Sequence, residues 1–280
     1  MNRLLLVDGS NLLFQMFYGM PARIVNEHGK AIQGTLGFTG ALLKMIRMTD
    51  PTHIAVLFDG DHNNPRSEID AEYKADRPDY HLMPEEETPF SQLADVYAAL
   101  DHLEIRYAET TDCETDDWIA AYAMHIQPDT QLIIASFDSD FFQLISPQVS
   151  VLRYRGEKSV FCTPDYLQNK FGILPSQYAD LKAMTGDQAD HIKGADHIGP
   201  KTASSLLKQF GTLEQILKQA GQIAKPSIHR SILDSEERLR KNLRLIKLTG
   251  SADLPFPMEE LRHERITQTT MDVLKAIRLR

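Results

Sequence analysis

The stretch Cys113-Glu114-Thr115-Asp116-Asp117-Trp118 packs three carboxylates into four residues and runs into the apolar helical segment Trp118–Met124. A helix dipole favours acids at its start by only about 0.3–1 kcal/mol each. An ordinary acidic first turn capped by Thr115 is therefore one reading of the stretch. Other acids recur in equivalent places. Asp8 follows the apolar run Leu4–Val7, Asp59 follows His53–Phe58, and Asp138 and Asp140 follow Leu132–Ala135. If those runs are strands, seven carboxylates gather at one edge. Like charges that close raise each other's pKa values and destabilise the fold unless cations neutralise them. Hard divalent ions supply that neutralisation, and an all-oxygen donor set suits Mg²⁺ or Mn²⁺ better than zinc. No Cys/His cluster competes for the role. Two more acids, Asp187 and Asp190, stand three apart in Gly186-Asp187-Gln188-Ala189-Asp190.

Short apolar runs separated by helical segments such as Leu12–Tyr18 and Gly34–Met48 predict an α/β fold. It would have a parallel, doubly wound central sheet with helices on both faces. Such sheets bind ligands beyond the carboxyl ends of their strands, which is where these acids fall. Residues 61–90 are polar and irregular. Lys74 and Arg77, three apart, would share a helix face, either as phosphate contacts or in salt bridges with Glu72 and Asp76. Val149–Tyr154 and Ser159–Cys162 read as a hairpin around Arg155-Gly156-Glu157-Lys158. Beyond it the chain reads as helical, over Pro164–Phe171, Pro175–Met184, Lys201–Gln209, Leu213–Lys218 and one long stretch, Ser227–Leu248. The expected division is a metal-binding core over 1–162 and a mainly helical region over 163–280.

Gly194-Ala195-Asp196-His197-Ile198-Gly199-Pro200-Lys201-Thr202-Ala203 superficially matches a phosphate-binding P-loop. Pro200 separates Gly199 from Lys201 and no strand precedes Gly194, so that reading fails. A tight helical hairpin fits, with Pro200 in the first turn of a helix and backbone N–H groups left to face a phosphodiester.

The 280 residues carry a net charge of −9, but the average hides a gradient. Residues 1–140 hold 24 Asp and Glu against 9 Lys and Arg, while residues 141–280 hold 15 against 21. An acidic half suited to cations and a basic half suited to a polyanion follow. No run approaches a membrane span or a signal-peptide core, and Cys113 and Cys162 form no CxxC. A cytoplasmic monomer is expected.

With these residues in view, the chain resembles the 5′-nuclease family: flap endonucleases and the 5′–3′ exonuclease domain of bacterial type I DNA polymerases. Leu6-Val7-Asp8-Gly9-Ser10 looks like its first motif. Val56–Asp59, with Arg66 and Tyr73-Lys74-Ala75-Asp76-Arg77-Pro78, looks like its second. Glu114–Asp117, Asp138–Asp140 and Gly186–Asp190 complete the acid set, and Gly194–Ala203 is similar to the family's helix–hairpin–helix. Six motifs in order span roughly Leu4 to Leu254.

The resemblance implies a structure-selective phosphodiesterase acting on DNA with 5′ flaps, nicks or free 5′ ends. Asp8, Asp59, Glu114 and Asp116 would gather around one metal ion; Asp117, Asp138, Asp140, Asp187 and Asp190 would serve the second. Lys74 and Arg77 would meet the scissile phosphate from a helical arch over 66–95. Arg66, His197, Ile198, Gly199, Pro200, Lys201 and Thr202 would contact DNA through a helix–hairpin–helix over about 186–210. Backbone carbonyls around Met184, Thr185, Lys193, Ala195 and Ile198 would hold K⁺. Departures from the family pattern are Gln15 where relatives commonly have Arg, and His191-Ile192-Lys193-Gly194 for Asn-Ile-Pro-Gly. Both Asp187 and Asp190 are kept, and a free-standing bacterial member, without a polymerase region, is expected. The expected chemistry is two-metal hydrolysis to a 5′-phosphate and a 3′-hydroxyl, with Asp116, Lys74 and Arg77 in the catalytic set. The competing reading is a scaffold that binds branched DNA without cutting it. A phosphatase using Asp8 lacks the D-x-D-x-T pattern, since position 10 is Ser. A nucleotide-sugar transferase would rest on Asp138-Ser139-Asp140 alone.

Overall fold

Side chains alternate along the central strands between two buried faces, the period of two that a covered sheet demands. In the computed structural model, Leu4, Leu6, Ala55, Leu57, Leu132, Ile134 and Val151 enter one core, and Leu5, Val7, Ile54, Val56, Phe58, Ile133 and Leu152 the other. The structure describes residues 2–62, 66–74 and 80–279.

The chain runs β1 (Asn2–Asp8), α1 (Gly9–Gly19), α2 (Gln33–Thr49), β2 (His53–Phe58), α3 (Arg66–Ile69), α4 (Leu93–His102), β3 (Arg106–Glu109), α5 (Thr115–Met124), β4 (Thr130–Ala135), β5 (Val149–Arg153) and β6 (Val160–Cys162). It continues through α6 (Pro164–Phe171), α7 (Tyr178–Thr185), β7 (Gly186–Asp187), β8 (Ile192–Lys193), α8 (Pro200–Phe210), α9 (Leu213–Lys218), α10 (Pro226–Asp234), α11 (Glu236–Ile246) and α12 (Thr270–Ala276). The sheet order is β3-β2-β1-β4-β5-β6, parallel except for the antiparallel β5–β6 edge. Connections leave β1 toward β2 and β4 toward β5, so the strand order reverses between β1 and β4. That reversal opens a crevice at the strands' carboxyl ends.

Residues of α1, α2, α4 and α12 cover one face, and α5 covers the other together with helices of the C-terminal region, through α11. The C-terminal helices therefore share a continuous core with the sheet, and α12 returns to the N-terminal half through Val273.

Several elements depart from the sequence reading. The edge strand β3 and helix α4 do not stand out as apolar runs: β3 is at most half-buried, with charges at both ends. Helix α4 buries only Val96, Ala99 and Leu100. The long helix expected over 227–248 is two helices, broken at the buried Ser235 (φ −106°, ψ 1°). Residues 186–193 form a two-stranded ribbon, Gly186 opposite Lys193. In place of long arch helices, the described part of 66–95 holds the single turn α3, 3₁₀ turns at Tyr80–Leu82, Glu85–Glu87 and Pro89–Gln92, and the start of α4. Lys74 lies in a turn with φ 58°, not on a helix. Arg77 lies outside the described residues.

Candidate metal centre and nucleic-acid interface

Asp8 ends β1 and caps α1: its Oδ1 accepts from the Asn11 amide at 3.0 Å and its Oδ2 from the Ser136 hydroxyl at 2.8 Å. Ser136 follows β4, so this bond ties the two strands that flank the crevice. Asn11 returns the link, its Oδ1 accepting from Phe137 N–H at 3.1 Å. The Asp138 amide donates to Ser136 Oγ at 3.0 Å, and the Asp140 amide to Asp138 Oδ1 at 2.8 Å. Asp59 follows β2 and accepts from the Thr115 amide at 3.0 Å. That amide is one of the free N–H groups of a helix start, so Thr115 opens α5 instead of capping it. Glu114 holds the cap position, its own N–H reaching Asp117 Oδ2 at 3.2 Å.

Repulsion is legible in the titration of these groups. Burial first, then Asp59, pushes Asp8 up to about 7. Burial and Asp138 raise Asp116 well above the carboxylate range, with Lys74 opposing. Burial pushes Asp140 up to about 7, with Lys182 opposing and Asp138 adding to the rise. Asp140, Asp187 and Asp190 offer oxygens all within 4.8 Å of one another. Such all-oxygen, partly buried donors are costly to ionise together and fit a hard divalent cation.

Basic side chains reach two parts of this acid cluster. Arg66 binds Asp117 bidentately, at 2.6 and 3.0 Å, and also Glu114 and the Leu245 carbonyl. Its side chain is only 12% exposed. Burial would lower its pKa, but Asp117 and Glu114 outweigh that and raise it. Lys74 pairs with Glu114, and its amide donates to the Asp190 carbonyl at 3.1 Å. Tyr73 OH donates to Glu114 at 3.4 Å. Lys182, on α7, pairs with Asp140 and Asp187. Among the described residues, no Lys or Arg pairs with Asp8, Asp59, Asp116 or Asp138. Lys182 is absent from the sequence reading, although a signal existed: Asp180 and Lys182 are lone charges in the otherwise apolar run Tyr178–Met184, and all seven residues are buried.

The hairpin beyond α7 depends on two glycines placed back to back. Gly186 has φ +80°, and a Cβ there would lie 2.5 Å from Gly194 N and Ile192 O; one on Gly194 would lie 2.5 Å from Met184 O. Asn242, buried on α11, donates to the carbonyls of Ala183 (3.0 Å) and Lys193 (2.9 Å). The Ala195 amide donates to Met184 O at 2.8 Å, and the Ile198 amide to Ala195 O at 3.3 Å. His197 (φ 62°), Gly199, Pro200 and Lys201 are exposed at the start of α8, Thr202 is half-buried, and the Ile198 side chain is buried. The helix–hairpin–helix thus runs from α7 through the ribbon to α8. Gln15 donates to the Tyr154 carbonyl at 3.3 Å.

A family model for a 5′-3′ exonuclease N-terminal, resolvase-like domain matches residues 3–172, and one for the 5′-3′ exonuclease C-terminal SAM fold matches residues 173–269. The chain belongs to the 5′-3′ exonuclease family. DNA polymerase I of Rhizobium leguminosarum is 33% identical over 268 residues, covering 93% of this chain and 26% of that protein. Thermostable DNA polymerase I of Thermus aquaticus is 33% identical over 258 residues, covering 92% and 29%. The chain therefore spans less than a third of the length of these curated relatives. Among solved structures, T5 5′-exonuclease with bound zinc has a TM-score of 0.71 at 24% identity, covering 88% of this chain and 89% of that one. The catalytic core of Rad2 in complex with DNA substrate has a TM-score of 0.58 at 14% identity, covering 99% and 93%. Both share the fold of this family member.

Proposed function

We propose that this chain is a structure-selective, divalent-metal-dependent 5′ nuclease. It would hydrolyse DNA phosphodiesters at flaps, nicks or free 5′ ends to leave a 5′-phosphate and a 3′-hydroxyl. The observation that carries the reading is the meeting of acids from β1, β2, β4, α5 and the β7–β8 ribbon in the crevice where the strand order reverses. Asp8, Asp59, Glu114 and Asp116 are proposed to hold one Mg²⁺ or Mn²⁺. Asp138, Asp140, Asp187 and Asp190 are proposed to hold a second, with Asp117 at the rim. When bound, such ions supply an activated water at neutral pH and stabilise charge on the phosphate.

The chain's own residues do the rest. Asn11 and Ser136 hold both oxygens of Asp8, and the α5 amide of Thr115 holds Asp59, so these carboxylates are preorganised before substrate arrives. Lys74, seated on Glu114 at the mouth of the cluster, is proposed to move onto the scissile phosphate and offset its growing charge. Arg77 is proposed to act beside it. Arg66 fixes the start of α5 and would influence DNA from there. The exposed turn His197–Thr202 would take the duplex backbone without reading bases. The carbonyls of Met184 and Ala195 accept from the Ala195 and Ile198 amides, and that of Lys193 from Asn242; a carbonyl oxygen has two lone pairs. K⁺ at this hairpin, with Thr185 and Ile198, remains part of the proposal.

Incubating the protein with a 5′-flap DNA and Mg²⁺, with and without EDTA, tests the reading. Metal-dependent cleavage near the branch is expected, and binding without cleavage would favour a scaffold. Asp138→Ala should abolish cleavage while leaving flap binding within about tenfold, because the phosphate contacts that dominate affinity lie elsewhere.

A further inference from the structure

Lys182 is the one buried lysine among the described residues, and it sits inside the acid cluster. Its side chain is 7% exposed, and its ammonium pairs with Asp140 and Asp187 together. Those two carboxylates, with Asp190, are the ones whose oxygens lie within 4.8 Å of one another. The ammonium therefore binds the same donors that a second divalent ion would need. Asp8, Asp59, Asp116 and Asp138 have no such partner among the described residues.

We propose that Lys182 is an internal counter-ion that competes with the second divalent cation for Asp140 and Asp187, so that the two metal positions fill in order. The inference rests on the metal-dependent reading above. A cation entering the first group meets Asp8, Asp59 and Asp116 with no bonded ammonium among the described residues; there Lys74 holds Glu114. A cation entering the second must break two charge-assisted hydrogen bonds, which are about twice as strong as neutral ones. The ammonium must also find another partner or reach water, since a buried unpaired charge is costly. The second position is therefore the weaker, and its affinity is tuned by one side chain on α7. Without metal the same pairing keeps the cluster folded, because Asp140 and Asp187 are not left facing each other uncompensated.

Mn²⁺ titration followed by electron paramagnetic resonance and calorimetry reads the two affinities without any cleavage assay. The wild-type protein should show one tighter and one weaker site. Lys182→Met, which keeps most of the length of the side chain and removes its charge, should tighten the weaker site by about tenfold or more and leave the tighter one within about twofold. A merely structural lysine would lower thermal stability and leave the weaker affinity unchanged or poorer, and that result overturns the proposal while the nuclease reading stands. Absence of any Mn²⁺ binding overturns both. Wild-type protein gives a readout that does not depend on the variant folding. Amine-reactive labelling of Lys182, followed by mass spectrometry, should rise as Mn²⁺ fills the weaker site. Labelling that stays flat or falls through that range refutes displacement.

Discussion

Replacing Asp8 by Asn should stabilise this protein in EDTA, and the gain should depend on pH. Asp8 is buried and its pKa is pushed from 3.8 up to about 7, chiefly by burial and then by Asp59. A carboxyl whose folded pKa is raised binds its proton more tightly in the native state. Stability is then lost as pH climbs from the unfolded value to the folded one. Each unit is about 1.36 kcal/mol, so above about pH 7 the ionised Asp8 costs roughly 4 kcal/mol. At about pH 5 the cost is roughly 1.6 kcal/mol on the same scale. Asn has the same shape, can accept from the Asn11 amide and can donate to Ser136 Oγ, so the local hydrogen bonds survive. In a protein of this size about 1 kcal/mol moves Tm by roughly 2–4 °C. Asp8→Asn should therefore raise Tm in EDTA by roughly 8–16 °C near pH 8 and by roughly 3–6 °C near pH 5. Added Mg²⁺ should raise the wild-type Tm near pH 8 by mass action and raise that of the variant less. Thermal melts with EDTA or Mg²⁺ at both pH values provide the test. A variant less stable than wild type at pH 8 in EDTA, or a gain independent of pH, would refute the account of Asp8 as a strained, cation-requiring carboxylate.

Three further outcomes follow from particular contacts. Arg66→Met removes the bidentate partner of Asp117 and one of the two cations on Glu114, and should cost about 3–5 kcal/mol in urea unfolding, the usual effect of removing one partner from a buried ion pair. Gly186→Ala forces a side chain into φ +80° and against Gly194 N and Ile192 O. It should destabilise the fold by about 1–3 kcal/mol from backbone strain alone and weaken DNA binding in a filter-retention assay. Lys201→Ala, at an exposed helix start, should weaken binding to all duplex sequences alike and lower the slope of log K against log salt by about 0.9.

The sheet was legible because β1, β2 and β4 are apolar runs that each end at or within three residues of an acid, and a buried parallel strand has to look like that. The edge strand β3 offered no such run, since half its surface stays wet. The acids were legible as a set because their positions after strand ends repeat. Their partners were harder to find. Arg66 lies 48 residues from Glu114, and Lys182 lies 42 from Asp140, so no local pattern pairs them. The break at Ser235 was hidden because amphipathic periodicity continues through α10 and α11. The ribbon at 186–193 was hidden because it comes from two glycines in close approach, which is a property of the packed backbone and not of either residue alone.

Those separations also explain how one edge of a sheet can tolerate so many acids. Strand order alone brings Asp8, Asp59 and Asp138 together, and it carries no compensating charge with it. The cations come from elsewhere in the chain: Arg66 and Lys74 after β2, and Lys182 on α7. They reach Glu114, Asp117, Asp140 and Asp187, at the rim and at the C-terminal side of the crevice. Asp8 and Asp116, at the centre, keep raised pKa values chiefly through burial and then through Asp59 and Asp138, and no ion pair forms with either among the described residues. A fold that had to neutralise its acids for stability alone would place cations where repulsion is greatest. Here they stand around that point, and the groups left uncompensated are those proposed to hold the first metal ion.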